Sequence, residues 1–293
     1  MVSNTLIYKV ARAYYKKGLT QQAIANRYGI SRIKVSRLLA RAQKEEIVQI
    51  KIIAPEDPFT DLEHELEETF GIDEVIIVEK LNDSTQDWVD RAGLIAADYI
   101  NSIIQGKEII GLTWGRSLLS LINNLHLQNY PELKIVQMLG GLGEPQAEFH
   151  GTDLTRRMAQ SFGTRPYLIQ SPGIVKNKEI SDELKNDIQV RDSLTMAAQA
   201  SIAIVGIGLF AENSQITRTN TIISKDDYQF LKEQGVVGDI SLRFFNDNGE
   251  YVKTHLDDRI VGISTEELTK IPRIIGIAGG EEKFNTLKAV VKG

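Results

Sequence analysis

TQQAIANRYGISRIKVSRLLARA, residues 20–42, reads as two short helices joined at Gly29. Thr20 is a good N-cap, and Ile24, Ala25 and Tyr28 then recur at helical spacing on one face. Gly29 ends the first helix as a left-handed C-cap residue does. Ile30 returns to the core, Ser31 caps again, and Val35, Leu38 and Leu39 form the buried stripe of the second helix. Arg32, Ile33, Ser36 and Arg37 then face outward. This is the disposition of a helix-turn-helix, whose second helix lies in the DNA major groove with its N-terminal side chains against base edges. Small Ala25 lets the helices approach, while Val35 and Leu38 lock them together. The alternative is an ordinary amphipathic helical hairpin with a solvated charged face.

Charge separates these readings. The whole chain carries 34 Lys and Arg against 39 Asp and Glu, a net of −5, which does not suggest a nucleic-acid protein. Residues 1–53, however, hold eleven basic residues and only Glu45 and Glu46 as acids, a formal +9. The remaining 23 basic and 37 acidic residues give −14. A small cationic module on a large anionic body is the distribution expected of a DNA reader joined to something else. The acidic body also discourages DNA from binding elsewhere.

With 293 residues and 42% hydrophobic content there is material for a small domain and a larger one with a substantial core. The chain has no cysteine, so disulfides and thiolate chemistry are excluded. The first residues lack a continuous apolar run, and nothing resembles a membrane span. The expected location is cytoplasmic.

Outward from the central stretch, the first helix is expected over Asn4 to Lys17, burying Leu6, Ile7, Val10, Ala11 and Tyr14 before Gly18 stops it. Ile47 to Ile53 alternates and is β-rich, consistent with a short wing or strand. Ala54-Pro55-Glu56-Asp57-Pro58 then forms a natural boundary, dividing the chain into domains 1–54 and 55–293. Asp61 to Phe70 is a helix with Leu62, Leu66 and Phe70 on one side, read as packing on the large domain or as a linker or dimer helix.

From Ile72 strands and helices alternate. Strands are expected at Glu74–Val78, Glu108–Leu112, Lys134–Leu139, Ala203–Val205 and Arg273–Ala278. Helices are expected at Trp88–Ile104, Leu118–Leu125, Asp153–Phe162 and Lys283–Val291. Asn246-Asp247-Asn248-Gly249 marks a hairpin. The larger domain is therefore α/β with a largely parallel sheet.

Ligands of such domains collect at the carboxyl ends of the strands. In LTWGRS, Thr113 offers a hydroxyl, Gly115 permits close backbone approach, and Arg116 and Ser117 open a helix whose free N–H groups suit an anion. In IAGGEEK, Gly279 and Gly280 again bring backbone near a ligand, with Lys283 close behind. Either glycine cluster alone reads equally well as a tight turn. Two such loops, each with a cation, favour a phosphorylated small molecule. Neither is a Walker loop, and no strand-GxGxxG-helix fingerprint occurs.

The ordered set TQQAIANRYGISRIKVSRLLARA, GLTWGRSL, GGLGE, VGIG, GVVGDI with RFFNDNG, and IPRIIGIAGG with Lys283 resembles the SorC family of bacterial sugar-responsive transcription regulators, across nearly the whole chain. The resemblance implies an N-terminal helix-turn-helix domain, winged-helix-like if Ile47 to Ile53 forms the wing, on an effector domain similar to sugar-phosphate isomerases and glucosamine-phosphate deaminases. It also implies a phosphorylated sugar effector and a homo-oligomer, dimer or tetramer. Carried onto this sequence, it puts the effector phosphate at Thr113, Gly115, Arg116 and Ser117. Sugar hydroxyls fall near Asp239, with Gly279, Gly280 and Lys283 beside them, and His150 follows GGLG where members often carry a polar side chain.

The competing class is a sugar-phosphate isomerase or deaminase fused to a DNA-binding module, with Asp239, Lys283 and His150 as candidate acid–base groups. The expectation is a regulator, not an enzyme, with no cofactor, and no His/Asp/Glu cluster has metal-ligand spacing. On operator DNA, Arg32 and Arg37 are the candidates for base edges, probing guanine above all. Gln21, Gln22, Ser31 and Ser36 are assigned to bases or phosphates, and Lys34 and Arg41 to phosphates.

Overall fold

The structure, a computed structural model, describes residues 4–50, 58–80, 85–142, 150–212, 214–217 and 222–293. The chain divides into two compact units, Met1–Asp61 and Leu62–Gly293. The boundary read from the sequence, between residues 54 and 55, lies outside the described residues.

The first unit is helical. α1 (Asn4–Ala11) runs into a π-helical turn, Arg12–Lys16, followed by α2 (Gln21–Tyr28) and α3 (Arg32–Lys44). Thr20 and Ser31 cap α2 and α3, their hydroxyls accepting from the amides of Ala23 and Lys34, each at 3.2 Å. Gly29 is left-handed at φ 61°, and its N–H reaches the carbonyl of Ala25. Ile7, Val10, Ile24, Ala25, Val35, Leu38, Leu39 and Ala42 fill the core.

Two expectations in this unit fail. The π turn adds a residue to the first helix's last turn, which rotates Ala13 into the core and leaves Tyr14 37% exposed. Ile47 to Ile50 forms no strand. The alternation there is that of a wing, but the Val48 amide is taken by the carbonyl of Ala42 at 3.0 Å. The rest of that stretch lies outside the described residues.

The second unit follows α4 (Thr60–Phe70) with α5 (Thr85–Ile103), β1 (Ile109–Leu112), α6 (Arg116–Asn123), β2 (Lys134–Gln137), α7 (Gly151–Ser161) and β3 (Pro166–Tyr167). Then come α8 (Lys178–Asn186), α9 (Ile188–Ala198), β4 (Ile202–Gly206), β5 (Gly208–Leu209) and α10 (Lys225–Glu233). β6 (Val236–Ile240), β7 (Arg243–Asn246), α11 (Thr265–Leu268), β8 (Arg273–Ile277) and α12 (Phe284–Val290) complete it. The main sheet is parallel, in the order β3-β2-β1-β4-β8, and β5-β6-β7 form a separate antiparallel sheet. The fold is thus mixed α/β with a parallel sheet.

Strand alternation sends Ile110, Leu112, Ile135, Ile202 and Ile204 to one face, against α5, α6 and α7. Val136, Met138, Ala203 and Val205 pack on the other, with Ala197, Leu268 and Ile271. A parallel sheet covered on both faces needs such apolar strands. From β1 the chain winds outward through β2 to β3, then crosses to place β4 and β8 on β1's other side. The switch point of the sheet lies between β1 and β4, where ligand crevices form in open α/β sheets.

Glu74 to Val78 is not the buried strand its apolar run suggests. It joins no sheet, Ile76 is 45% exposed, and the amides of Val75 and Ile77 are bound by side chains. Glu67 accepts the Val75 N–H at 2.9 Å and Glu63 the Ile77 N–H at 2.7 Å, both from α4. α4 itself buries no residue completely, and Leu62 is 46% exposed. The RFFNDNG turn does form, with Asn246 Oδ1 accepting from the amides of Asn248 and Glu250, each at 3.0 Å. The tighter hairpin is one turn earlier, where β6 meets β7 through Ser241 and Leu242 at φ 57° and 61°. Among the described residues, no helix is long and apolar enough to cross a membrane.

Candidate effector cleft and helical surface

A cleft of about 520 Å³ opens at the carboxyl ends of β1, β4 and β8. Its floor begins with α6. Gly115, at φ 130°, provides no side-chain cap, so the first amides of this helix keep their hydrogen-bonding capacity toward the cleft. Arg116 is exposed at the same end, and Ser117 is buried. Helix dipole, free N–H groups and guanidinium together suit an anion.

Opposite lie Asp239 of β6 and Lys283, the last residue of a 3-10 turn, Glu281–Lys283, that leads into α12. Lys283 Nζ donates to the carbonyl oxygen of Ile207 at 2.7 Å. Burial pulls the Lys283 pKa down, countered by the charges of Asp239 and Glu282, while Arg116 adds to the depression. Asp239 is 3% exposed, and burial pushes its carboxyl up to about 6 against the amide of Leu242 and the charge of Lys283. Its Oδ2 accepts the Leu242 N–H at 3.0 Å, closing the β6–β7 turn. Gly208 of β5 lies directly against this carboxylate, where a Cβ would overlap Oδ1.

Of the predicted effector residues, Gly115, Arg116, Ser117, Asp239 and Lys283 line this cleft together, and Thr113, His150, Gly279 and Gly280 do not. Thr113 is 2% exposed, and its hydroxyl accepts the Gly206 N–H at 3.2 Å, which ties the ends of β1 and β4 at the switch point. Gly279 admits the Trp88 indole, since a Cβ there would fall 2.7 Å from the ring. Gly280 precedes the turn that carries Lys283. His150 is the half-buried N-cap residue of α7, packed on Gly141, and burial holds its pKa below the usual imidazole value. The GGLGE stretch beyond Leu142 lies outside the described residues.

Other walls come from Trp88, Trp114, Glu212, Gln215, Ser241 and Glu282. Both tryptophans of the chain therefore border the one cleft. Their scarcity was a usable signal, since aromatic rings commonly line ligand sites. No local pattern could have placed Glu212 and Gln215, which arrive through a loop after β5.

In the helical unit the predicted DNA contacts Gln22, Ser31, Arg32, Lys34, Ser36, Arg37 and Arg41 are all exposed, and Gln21 is half-buried. Three of them are partly engaged. Ser31 caps α3, Gln22 Nε2 donates to Asn26 Oδ1 at 3.0 Å, and Arg41 Nε pairs with Glu45 at 2.5 Å. Arg32 sits beside Thr20, Gln21 and Gln22 in a shallow concavity at the start of α2.

Residues 57–293 match the protein family described as "Putative sugar-binding domain". The deoxyribonucleoside regulator of Bacillus subtilis strain 168 is 27% identical over 98% of this chain and 91% of its own. The transcriptional regulator LsrR of Enterobacter sp. strain 638 is 29% identical over 100% of this chain and 88% of its own. Among solved structures, the full-length sorbitol operon regulator SorC of Klebsiella pneumoniae superposes with a TM-score of 0.75 at 27% identity, covering 99% of this chain and 94% of that one. With the family match over most of its length, and regulators similar to it from end to end, the chain belongs to the sugar-binding-domain family of transcriptional regulators, the SorC family.

Proposed function

We propose that this protein is a DNA-binding regulator of a carbohydrate-utilisation operon, with operator affinity set by a phosphorylated sugar in the cleft. The observation that carries the effector half is the pairing of an uncapped helix N-terminus and Arg116 with Asp239 and Lys283 across one crevice. The cationic end suits a phosphate. Asp239, Ser241 and Gln215 suit hydroxyl groups, and two indoles suit the apolar face of a sugar ring. The names of the relatives, a deoxyribonucleoside regulator and a sorbitol operon regulator, agree with a sugar-derived ligand.

The DNA half rests on α2, Gly29 and α3, a helix-turn-helix in a segment of formal charge +9. Arg32 and Arg37 read base edges, Gln21, Gln22, Ser31 and Ser36 contact bases or phosphates, and Lys34 and Arg41 neutralise phosphates. A symmetric dimer or tetramer sets two such helices on a palindromic site. The sugar phosphate then favours one arrangement of the oligomer, and the difference in affinity between arrangements is the coupling.

The test is a titration of tryptophan emission against phosphorylated sugars and their unphosphorylated parents. One ester is expected to perturb the emission saturably and raise the melting temperature, while its parent does not. Equal binding of the parent would remove the phosphate from the account. Conversion of the bound ester to product would favour the isomerase or deaminase reading.

A further inference from the structure

On the face of α3 opposite its buried stripe lies an apolar side chain that neither packing nor charge explains. Val35, Leu38, Leu39 and Ala42 are buried. At about 100° per residue the opposite face carries Ile33, Arg37, Ala40 and Lys44. Ile33 is 67% exposed, at the second position of the helix. Its neighbours Arg32, Lys34, Ser36 and Arg37 are exposed and polar.

Helix stability does not account for it. A β-branched residue is a poorer helix former than the Arg, Lys and Ala around it, and an exposed one gains nothing from burial. Its position does suggest a purpose, because the first turn of a recognition helix is the part presented to base edges. In the major groove the bases display hydrogen-bonding groups and a single apolar one, the thymine 5-methyl. Arg32, Ser36 and Arg37 match the hydrogen-bonding groups, and among these outward side chains the apolar Ile33 matches the methyl.

We propose that Ile33 contacts the 5-methyl group of a thymine in the operator's major groove, setting sequence preference at that base pair. The inference rests on the DNA-reading function proposed above, and the experiment separates the two. The full-length protein selects its site from a random duplex pool. Each thymine of the selected site is then replaced singly by deoxyuridine, which lacks only the methyl group. Affinities are measured for the wild type and for Ile33→Ala at one fixed salt concentration.

At one thymine or more, deoxyuridine is expected to weaken wild-type binding about fourfold, the factor that burial of one methyl group carries. At that position Ile33→Ala binds both duplexes alike, and at every other thymine the two proteins respond identically. Because Ile33 is exposed and Ala is the better helix former, the variant melts no lower than the wild type, so folding does not confuse the outcome. Specific binding with no such thymine, or an equal deoxyuridine penalty in both proteins, overturns the role of Ile33 and leaves DNA reading intact. A pool that yields no enriched sequence overturns DNA reading itself, and this inference with it.

Discussion

Lys283 donates from its ammonium to the carbonyl oxygen of Ile207 at 2.7 Å, fixing one of the cleft's two positive charges to the bend between β4 and β5. Two segments distant in sequence thereby meet beyond the carboxyl ends of the neighbouring strands β4 and β8. The lysine has three donors and this bond occupies one, so the others remain for an anion.

Lys283→Met keeps most of the aliphatic stem and removes the charge. Hydrogen bonds to charged groups contribute about 1.5–3 kcal/mol, so sugar-phosphate affinity is expected to fall about tenfold or more. Titration of tryptophan emission measures the change. Unaltered affinity would place the phosphate away from Lys283.

The buried carboxyl of Asp239 predicts a pH dependence. Its folded pKa of about 6 lies above the ordinary aspartate value of 3.8, so the native state holds this proton more tightly than the unfolded state. Its contribution to stability is fully present below about pH 4, declines as pH rises to about 6, and is lost above. The span is at most about 3 kcal/mol, from roughly two pKa units. Asp239→Asn preserves an acceptor for the Leu242 amide and cannot ionise. Melting temperatures of the two proteins, compared between pH 4.5 and 7.5, should diverge across this window. Parallel profiles would mean that Asp239 does not titrate there.

What the sequence made legible was local. Thr20, Gly29 and Ser31 announce their caps because a cap depends on the residue and its next three neighbours. The loops after β1 and β8 were visible for the same reason, and with them Arg116 and Lys283. Long-range partners were not visible. Nothing near Glu74 to Val78 reveals that its amides are held by Glu63 and Glu67 of the preceding helix. Thr113 looked like a ligand hydroxyl because its acceptor role toward Gly206 is contributed from a strand 93 residues away. The π turn leaves no mark in the helical pattern because it shifts the buried face by only one position, from Tyr14 to Ala13.

The carboxylates that hold the Glu74–Val78 segment make a separate prediction. Replacing both Glu63 and Glu67 by Ala leaves the amides of Val75 and Ile77 to solvent, at about 1 kcal/mol for each lost bond. Hydrogen exchange at those two amides should accelerate, while the amides of β1 and β4 keep their protection. Unchanged exchange at Val75 and Ile77 would show that other groups hold the segment.

Gly29 offers a test of the helical turn. A Cβ there meets nothing within 4 Å, so Gly29→Ala carries only the strain of a left-handed alanine. That strain is about 1–2 kcal/mol. Melting of the helical unit, followed by circular dichroism, should move to lower temperature by a matching amount. An unchanged transition would contradict the left-handed cap.

Operator affinity with and without the sugar phosphate, in the wild type and in Arg116→Ala, tests the central claim most directly. The effector is expected to change wild-type affinity at least about fivefold, the lower end of ordinary allosteric coupling. Arg116→Ala should bind operator as the wild type does without effector and lose most of the response. Wild-type affinity that ignores every sugar phosphate bound in the cleft, or a full response that survives in Arg116→Ala, would contradict the account.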